Sequence, residues 1–252
     1  MKRLSNPRTH MKKRRILICG NYGAGNFGDE LILKGLLKVI KKLAHIEVTV
    51  MTGNEKETWT MHDVQVAPFV PSSLKSWTKQ VLKGKAARAL FAIGQADLII
   101  FGGGGLFNEK EEASIKIWNS QVRAFRFFKK PVIMIGQSFG NIEKEKNKKI
   151  IRKVCSSMKK ILVRDPISKK NLESLGIEKH IQVVSDSAFW LEARDFQEEK
   201  KPYHSPYYLI SLRAWPGIDT KLLTEHINTL IKNLPGTPVF ISMQKDDEKI
   251  FH

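Results

Sequence analysis

The chain has 252 residues, 42% of them hydrophobic, and a formal net charge of +18 from 43 basic and 25 acidic side chains. This length suffices to bury one full core and to begin a second. Its two cysteines, Cys19 and Cys155, lie far apart without a partner motif, so neither a disulfide framework nor a zinc site is indicated.

Cysteine usage and hydropathy together predict a cytoplasmic protein. No apolar run approaches the roughly 18 residues that a spanning helix needs. The basic start, Met1–His10, is followed only by the short apolar run Ile16–Cys19, which is too short for a secretory signal. The positive charge predicts an anionic partner: a phosphorylated substrate, nucleic acid or the inner face of an anionic membrane. Nucleic acid ranks lowest, because no aromatic stripe or helical arginine ladder accompanies the charge.

Short apolar runs alternate with helical patterns along most of the chain. The predicted strands are Arg15–Cys19, Ile46–Met51, Leu98–Phe101, Val132–Ile135, Ile161–Val163 and Ile181–Val184. Helical patterns between them include Asp29–Leu43, Ala113–Phe128 and Lys144–Met158. This alternation predicts an α/β fold with a doubly wound, Rossmann-like parallel sheet, whose ligands bind outside the carboxyl ends of the strands.

A second α/β unit is predicted after a polar, proline-containing linker at residues 193–206. Its elements are a strand at Tyr207–Arg213, a helix at Asp219–Leu234 capped by Asp219, and a strand at Thr237–Gln244. We therefore divide the chain into a basic extension (1–14), an amino-terminal α/β domain (15–192), the linker, and an incomplete second domain (207–252).

The segment Gly20-Asn-Tyr-Gly-Ala-Gly-Asn-Phe-Gly-Asp-Glu30 joins the first strand to the first helix. It contains the dinucleotide pattern G-x-G-x-x-G, but the first strand ends three residues too early, and the next strand, Ile46–Thr52, ends without the carboxylate that would bind a ribose. Asp29 and Glu30 would repel a diphosphate at the helix start. Taken alone, these two carboxylates are equally typical of an ordinary helix start.

This segment resembles the amino-terminal signature of the polysaccharide pyruvyl transferase family. Further family-like pieces follow in the family's order: Asp97–Gly105, Gly136–Gly140, Val163–Ser168, Ser185–Phe189 and Ile210–Arg213. The resemblance covers about Arg15 to Gln244. It implies an enzyme of B-type glycosyltransferase architecture that moves the enolpyruvyl unit of phosphoenolpyruvate onto a sugar of a cell-surface polysaccharide or its precursor, as a ketal. The resemblance implies a sugar or a lipid-linked saccharide as the acceptor. It implies no cofactor and no metal ion.

Ketal formation needs cations for the donor, an acid for its methylene carbon and a base for the sugar hydroxyl. The catalytic candidates are Arg164, which would bind the donor, and Asp29 and Glu30, which would bind the acceptor or act as base. The structural alternative for Arg164 is an ion pair with Asp165 or another neighbouring carboxylate. Further residues at predicted strand ends or turns would bind substrate: Asn26, Gly28, Gly103, Gly104, Gly105, Glu109, Gln137, Ser138, Asp165, Ser168, Asp186 and Arg213.

The histidines form no motif. His62 is interpreted as a loop residue and His226 as a half-buried helix residue, while Cys19 is interpreted as a core residue. The family's later histidine-containing motif has no counterpart here, so the resemblance implies a chain that is cut short and inactive. Two other functions stay open: a sugar-nucleotide glycosyltransferase of similar architecture, and a non-catalytic basic module that binds membrane or nucleic acid.

Overall fold

A computed structural model describes residues 13–109, 112–196, 206–212, 219–244 and 247 of the chain. The first half contains, in order, β1 (Arg14–Cys19), α1 (Phe27–Ile40), β2 (Ile46–Thr52), α2 (Glu55–His62), β3 (Gln65–Pro68), α3 (Leu74–Leu82), α4 (Lys85–Gln95) and β4 (Leu98–Gly104). The next elements are α5 (Glu112–Phe127), β5 (Val132–Gln137), α6 (Glu145–Ser156), β6 (Lys160–Val163), α7 (Pro166–Ser174) and β7 (Ile181–Val183). Two 3₁₀ helices (Ser187–Trp190 and Ala193–Asp195), β8 (Tyr207–Ser211), α8 (Thr220–Asn233) and β9 (Thr237–Ile241) follow.

Within the described residues, the first seven strands form one parallel sheet in the order β3-β2-β1-β4-β5-β6-β7. From β1 the chain first winds outward to β3 and then returns to β4 on the other side. The carboxyl ends of β1 and β4 therefore flank the point at which the strand order reverses, which is where open α/β sheets bind ligands. The predicted doubly wound sheet is confirmed.

Hydrophobic side chains fill both faces of this sheet. On one face, Phe101 of β4 packs against Trp118 and Phe125 of α5. On the other face, α1 packs its buried leucines against β1 and β2. Cys19 and Cys155 are buried, and burial raises the pKa of both thiols, that of Cys155 to about 12. The interpretation of Cys19 as a core residue is thereby confirmed.

The segment after β7 returns across the sheet to pack on α1. Ser187 Oγ donates a hydrogen bond to the backbone oxygen of Ile32 at 2.8 Å. Gly35 lies directly under this segment, and a Cβ added there would overlap the carbonyl oxygen of Ser187. Lys38 Nζ contacts Glu192 Oε1 at 3.1 Å and Asp195 Oδ2 at 2.7 Å. The start of the predicted linker is thus a 3₁₀ helix held against α1, while residues 197–205 lie outside the described part.

The later strands form a separate parallel pair, β8 and β9, connected through α8. Asp219 caps α8 as predicted, because its carboxylate accepts hydrogen bonds from the N–H groups of Lys221 and Leu222. The expected half-buried position of His226 is wrong: the side chain is exposed, and its ring contacts the backbone oxygen of Leu222 one turn earlier. Beyond β9, Gln244 forms an isolated bridge with Asn26, which brings this segment to the start of α1.

Two helical glycines predict opposite effects of one substitution. Gly35→Ala should destabilise the protein by about 1–3 kcal/mol, since the clash with Ser187 outweighs the better helix propensity of alanine. In α4, an added Cβ at Gly94 would meet only Phe128 carbon atoms at ordinary distance, 3.5 Å or more, so Gly94→Ala should be neutral or stabilise by up to about 1 kcal/mol. Urea unfolding measures both. Equal effects of the two substitutions would contradict the close packing at Gly35.

Candidate functional site

A cleft of about 970 Å³ opens at the carboxyl ends of the central strands. It is bounded by the loop after β1, the glycine run of β4, the loops after β5 and β6, and the 3₁₀ helix after β7. Most of the predicted site residues line it: Asn26, Gly28, Asp29, Gly104, Gly105, Glu109, Ser138, Arg164 and Asp186. Predicted residues as far apart in the sequence as Asn26 and Asp186 are thus brought to one cavity.

Asp29 lies at the first turn of α1, on the cleft wall. The Asn26 side chain caps this helix by accepting hydrogen bonds from the N–H groups of Gly28 (3.0 Å) and Asp29 (3.4 Å). Asn21 Nδ2 donates to Asp29 Oδ2 at 2.8 Å. The side chains of Asn21 and Asn26 therefore fix the carboxylate and the start of its helix, and the helix dipole stabilises its negative charge. Asn21 lies inside the recognised signature, yet sequence reasoning assigned it no role.

The glycine run after β4 lets a second loop approach Asp29 closely. Gly103 and Gly104 have φ values of 105° and 69°, a region that side-chain-bearing residues rarely adopt. A Cβ on Gly104 would lie 2.8 Å from Asp29 Oδ1. Both the backbone conformation and the close approach therefore require glycine at Gly104.

Glu30, the neighbouring predicted residue, lies behind the cleft wall. Its Oε1 accepts a hydrogen bond from Gly23 N–H at 2.8 Å, and its Oε2 lies 2.8 Å from His62 Nε2. Both side chains are almost completely buried. The interpretation of His62 as a loop residue is wrong: it is the last residue of α2, which packs it under the loop that follows β1. In this structure, Glu30 ties that loop to α2 and does not face the cleft.

Tyr22 fixes the same loop from the other side. Its hydroxyl donates to the backbone oxygen of Gly102 at 2.9 Å, and its own backbone oxygen accepts from Thr52 Oγ1 at 3.0 Å. Burial, followed by the charges of nearby carboxylates including Asp29, raises the pKa of Tyr22 well above its ordinary value. This tyrosine thus stays a neutral hydrogen-bond donor that joins the β1 loop to the glycine run.

Arg164 follows β6 in the cleft lining and is held there by two partners. Its Nε donates to Ser138 Oγ, and its Nη1 donates to Asp186 Oδ2 at 3.0 Å. The ion pair with Asp165 is longer, at 4.0 Å. The side chain is 36% exposed, so the guanidinium keeps surface toward the cleft while its orientation is fixed. Arg164 therefore has both a structural pairing and an accessible face.

Asp165 and Ser168 form a helix cap behind Arg164. Asp165 accepts hydrogen bonds from Ser168 N–H (2.6 Å) and Ser168 Oγ (2.9 Å) at the start of α7. Burial would raise the pKa of Asp165, but these bonds, one from Ser138 and the charge of Arg164 outweigh it and lower the pKa. Ser168 is 1% exposed and also accepts from Phe139 N–H. These two predicted substrate contacts lie outside the cleft lining and position the loops that carry Ser138 and Arg164.

Two more predicted residues also lie behind the cleft, and a third lies outside the described residues. Gly103 packs beside Tyr22 and Ile32. Gln137 is fully buried between β4 and β6, and its side-chain atoms have no hydrogen-bond partner in the described part of the chain. Arg213 belongs to the residues that the structure does not describe, so its predicted contact stays a prediction.

Glu109 lines the cleft, but its carboxylate is already engaged. It accepts hydrogen bonds from Asn147 Nδ2 (2.7 Å) and from the N–H groups of Glu143 (2.7 Å) and Lys144 (3.0 Å). Burial alone would raise the pKa of Glu109, but these bonds outweigh it and lower the pKa. Glu109 thus fastens the start of α6 to the loop after β4. Among the described residues, no group of three or more His, Cys, Asp or Glu side chains is arranged to hold a metal ion.

The family model for polysaccharide pyruvyl transferase matches residues 26–251, which include Asp29, the glycine run, Arg164 and Asp186. The chain belongs to this family. No curated protein sequence matches it significantly. In the part of this family member that the structure describes, no helix is both long and apolar enough to cross a bilayer.

Two solved structures share this α/β fold. MnaA from S. aureus, in a co-structure with UDP, superposes with a TM-score of 0.59 at 11% identity, over 94% of this chain and 64% of its own. A protein assigned as a UDP-N-acetylglucosamine 2-epimerase from Listeria monocytogenes gives 0.57 at 14% identity, over 94% and 65%. This chain therefore spans slightly less than two thirds of the length of these proteins. At such identity the likeness shows the fold alone.

The buried pair of Glu30 and His62 predicts a coupled loss of stability. His62→Ala should lower the free energy of unfolding by about 3 kcal/mol, because it leaves a buried carboxylate without its partner. His226→Ala is the matched control on the exposed face of α8 and should change stability by less than about 0.5 kcal/mol. Chemical unfolding measures each variant.

A double-mutant cycle decides whether the contact itself causes the loss. In a Glu30→Ala background, His62→Ala should cost at least about 1 kcal/mol less than it does in the wild type. The same cost in both backgrounds would contradict the pairing.

Proposed function

We propose that the protein transfers the enolpyruvyl unit of phosphoenolpyruvate to a sugar of a cell-surface polysaccharide or its precursor, forming a ketal and releasing phosphate. The observation that carries this proposal is the accessible, oriented guanidinium of Arg164 in the same cleft as Asp29, in a member of the pyruvyl transferase family. The first group suits an anionic donor and the second a hydroxyl acceptor.

Arg164 is the proposed donor-binding residue. The planar guanidinium can donate two parallel hydrogen bonds to a carboxylate or a phosphate. Ser138 and Asp186 hold its Nε and Nη1, which fixes the direction of the remaining donors before any ligand arrives. Such preorganisation lowers the entropic cost of binding. The carboxylate of Asp186 also offsets the positive charge of Arg164. Arg164 therefore contributes to donor binding more through the geometry of its hydrogen bonds than through its charge.

Asp29 is the proposed acceptor-binding residue and base. Asp29 lines the cleft, and the hydrogen bond from Asn21 Nδ2 to its Oδ2 orients the carboxylate before any ligand arrives. Negative charge at Asp29 disfavours the donor's phosphate and favours a hydroxyl, which can donate to it. The donor therefore belongs at the Arg164 end of the cleft and the acceptor at the Asp29 end. Glu30 would act indirectly, by holding the loop that carries Asp29.

The proposed reaction balances between one phosphoenolpyruvate and two hydroxyls of the sugar. One sugar hydroxyl bonds to the central carbon of the enol, and a proton is added to the methylene carbon, which becomes a methyl group. A second hydroxyl bonds to the same carbon as the bond to phosphate breaks. The two hydroxyl protons end on the methyl group and on the released phosphate. A base near the attacking hydroxyl and a cation near the leaving phosphate lower the barrier for these steps.

For an acceptor that is linked to a lipid, we also propose that the protein contacts a membrane. A saccharide linked to a lipid would bring the enzyme to an anionic surface, and the net charge of +18 favours that approach. A free oligosaccharide would need no such contact.

Phosphate release tests the proposed function. The purified chain is incubated with phosphoenolpyruvate and a mixture of bacterial polysaccharides and methyl glycosides, and phosphate and sugar-bound pyruvate are measured. We expect sugar-dependent formation of both products, a result that would also show the inactivity implied by the missing histidine motif to be wrong. A sugar-nucleotide glycosyltransferase would instead release UDP from UDP-sugars, and that result, without turnover of phosphoenolpyruvate, would overturn the proposal.

Arg164→Lys should weaken the binding of phosphoenolpyruvate about tenfold or more, although the positive charge is retained, because an ammonium lacks the bidentate geometry. Arg123→Lys is the control, since Arg123 is exposed on α5 and does not line the cleft. Isothermal titration calorimetry measures both affinities. Equal affinity of Arg164→Lys and wild type would remove Arg164 from the donor site.

Asp29→Asn should abolish most ketal formation while lowering stability by no more than about 1 kcal/mol, because asparagine keeps the shape of aspartate at the helix start. The binding of phosphoenolpyruvate should stay within about twofold of the wild type or improve, since a negative charge is removed. Full turnover by the variant, or a large loss of stability without loss of turnover, would show that Asp29 only starts the helix.

A further inference from the structure

Phe189 has an unusual position for a large hydrophobic residue. It lies in the middle of the 3₁₀ helix Ser187–Trp190, lines the cleft and is 83% exposed. Its two neighbours, Ala188 and Trp190, pack against the core between α1 and the sheet. The exposed ring is therefore the one apolar side chain that this tightly packed segment directs away from the core.

The segment that carries Phe189 is fixed at both ends. Before the ring, Asp186 Oδ1 accepts from Ala188 N–H at 2.9 Å, and Ser187 Oγ donates to the backbone of α1. After it, Trp190 Nε1 donates to Ser185 Oγ at 2.8 Å, and the Trp190 backbone oxygen accepts from Lys38 Nζ at 2.9 Å. The backbone position of the ring is thus set without any ligand, which favours a binding role.

The groups beside the ring indicate its ligand. Asp186, three residues earlier, lines the same cleft and is 13% exposed, and each of its oxygens has one hydrogen bond from the protein. A carboxylate has about four acceptor positions, so Asp186 can accept further hydrogen bonds from hydroxyl groups. A pyranose combines an apolar C–H face with a rim of hydroxyls, and it matches an aromatic ring beside a carboxylate. Phosphoenolpyruvate has no such face.

We propose that Phe189 is the platform on which the acceptor sugar ring packs, with Asp186 as a hydrogen-bond acceptor for its hydroxyls. This inference rests on the proposed function for the choice of a saccharide. This inference also assigns each substrate a place in the cleft, because Asp186 contacts Arg164 and lies three residues before Phe189 in the sequence. The acceptor ring lies over Phe189, and the donor lies at Arg164.

Ligand-observed NMR tests the platform independently of turnover. The probes are the methyl pyranosides of glucose, galactose, mannose and N-acetylglucosamine, with uridine monophosphate as a nucleotide probe. At least one glycoside should bind the wild type, and Phe189→Ala should weaken it at least about fivefold. Phe189→Trp should retain the affinity within about twofold, because a larger aromatic face is kept. Phe127→Ala, which removes a ring that is 81% exposed on α5 outside the cleft, should change nothing.

The outcomes separate the platform from the reaction. Glycoside binding that depends on Phe189 supports the platform even where phosphoenolpyruvate gives no product, a result that would count against the proposed function only. Wild-type affinity in Phe189→Ala would overturn the platform, even where ketal formation is observed. Failure of every glycoside to bind the wild type would overturn it too. So would Phe189-dependent binding of uridine monophosphate without glycoside binding, which would assign the ring to a nucleobase.

Discussion

The buried carboxylate of Glu30 is the contact on which the cleft depends. One oxygen holds the backbone of the loop after β1 at Gly23, and the other holds His62 at the end of α2. Burying a carboxylate is costly unless hydrogen bonds compensate for lost hydration, and here both oxygens have partners. The loop is thereby fixed, and the first turn of α1, which carries both carboxylates, presents Asp29 to the cleft. The two adjacent carboxylates thus have different roles: Glu30 holds the loop, and Asp29 lines the cleft wall.

Neighbouring residues divide their roles in a similar way at the ends of β5 and β6. After β6, Arg164 faces the cleft while Asp165 caps α7, and after β5, Ser138 contacts Arg164 while Gln137 is buried. In each pair, one residue lines the cavity and its neighbour secures the loop. The side chains of neighbouring residues in a strand point to opposite faces of the sheet. At a strand end, one residue of a family motif can therefore reach the ligand while its neighbour reaches the core. The MnaA and epimerase structures share the fold, and different residues at the same strand ends would suffice for a different ligand.

Much of this arrangement could be predicted from the sequence. Apolar runs ending in glycine or polar residues located all the strand ends that now surround the cleft, because parallel strands bring their carboxyl ends to one edge. Other features needed the tertiary structure. The partner of Glu30 is 32 positions away, at the end of a helix without a clear apolar face, so no local pattern marked His62. The run Ala188-Phe-Trp190 does not reveal which ring faces outward. The short edge strand β3, with only four residues, carries too little periodicity to be predicted.

We propose that phosphoenolpyruvate binds beside its acceptor in the cleft that Asp29 and Arg164 line. A crystal structure of the protein soaked with phosphoenolpyruvate tests this binding site most directly. We expect difference density for the donor within hydrogen-bonding distance of the Arg164 guanidinium. Density for the donor at another surface, with the Arg164 guanidinium enclosed by protein groups alone, would contradict it.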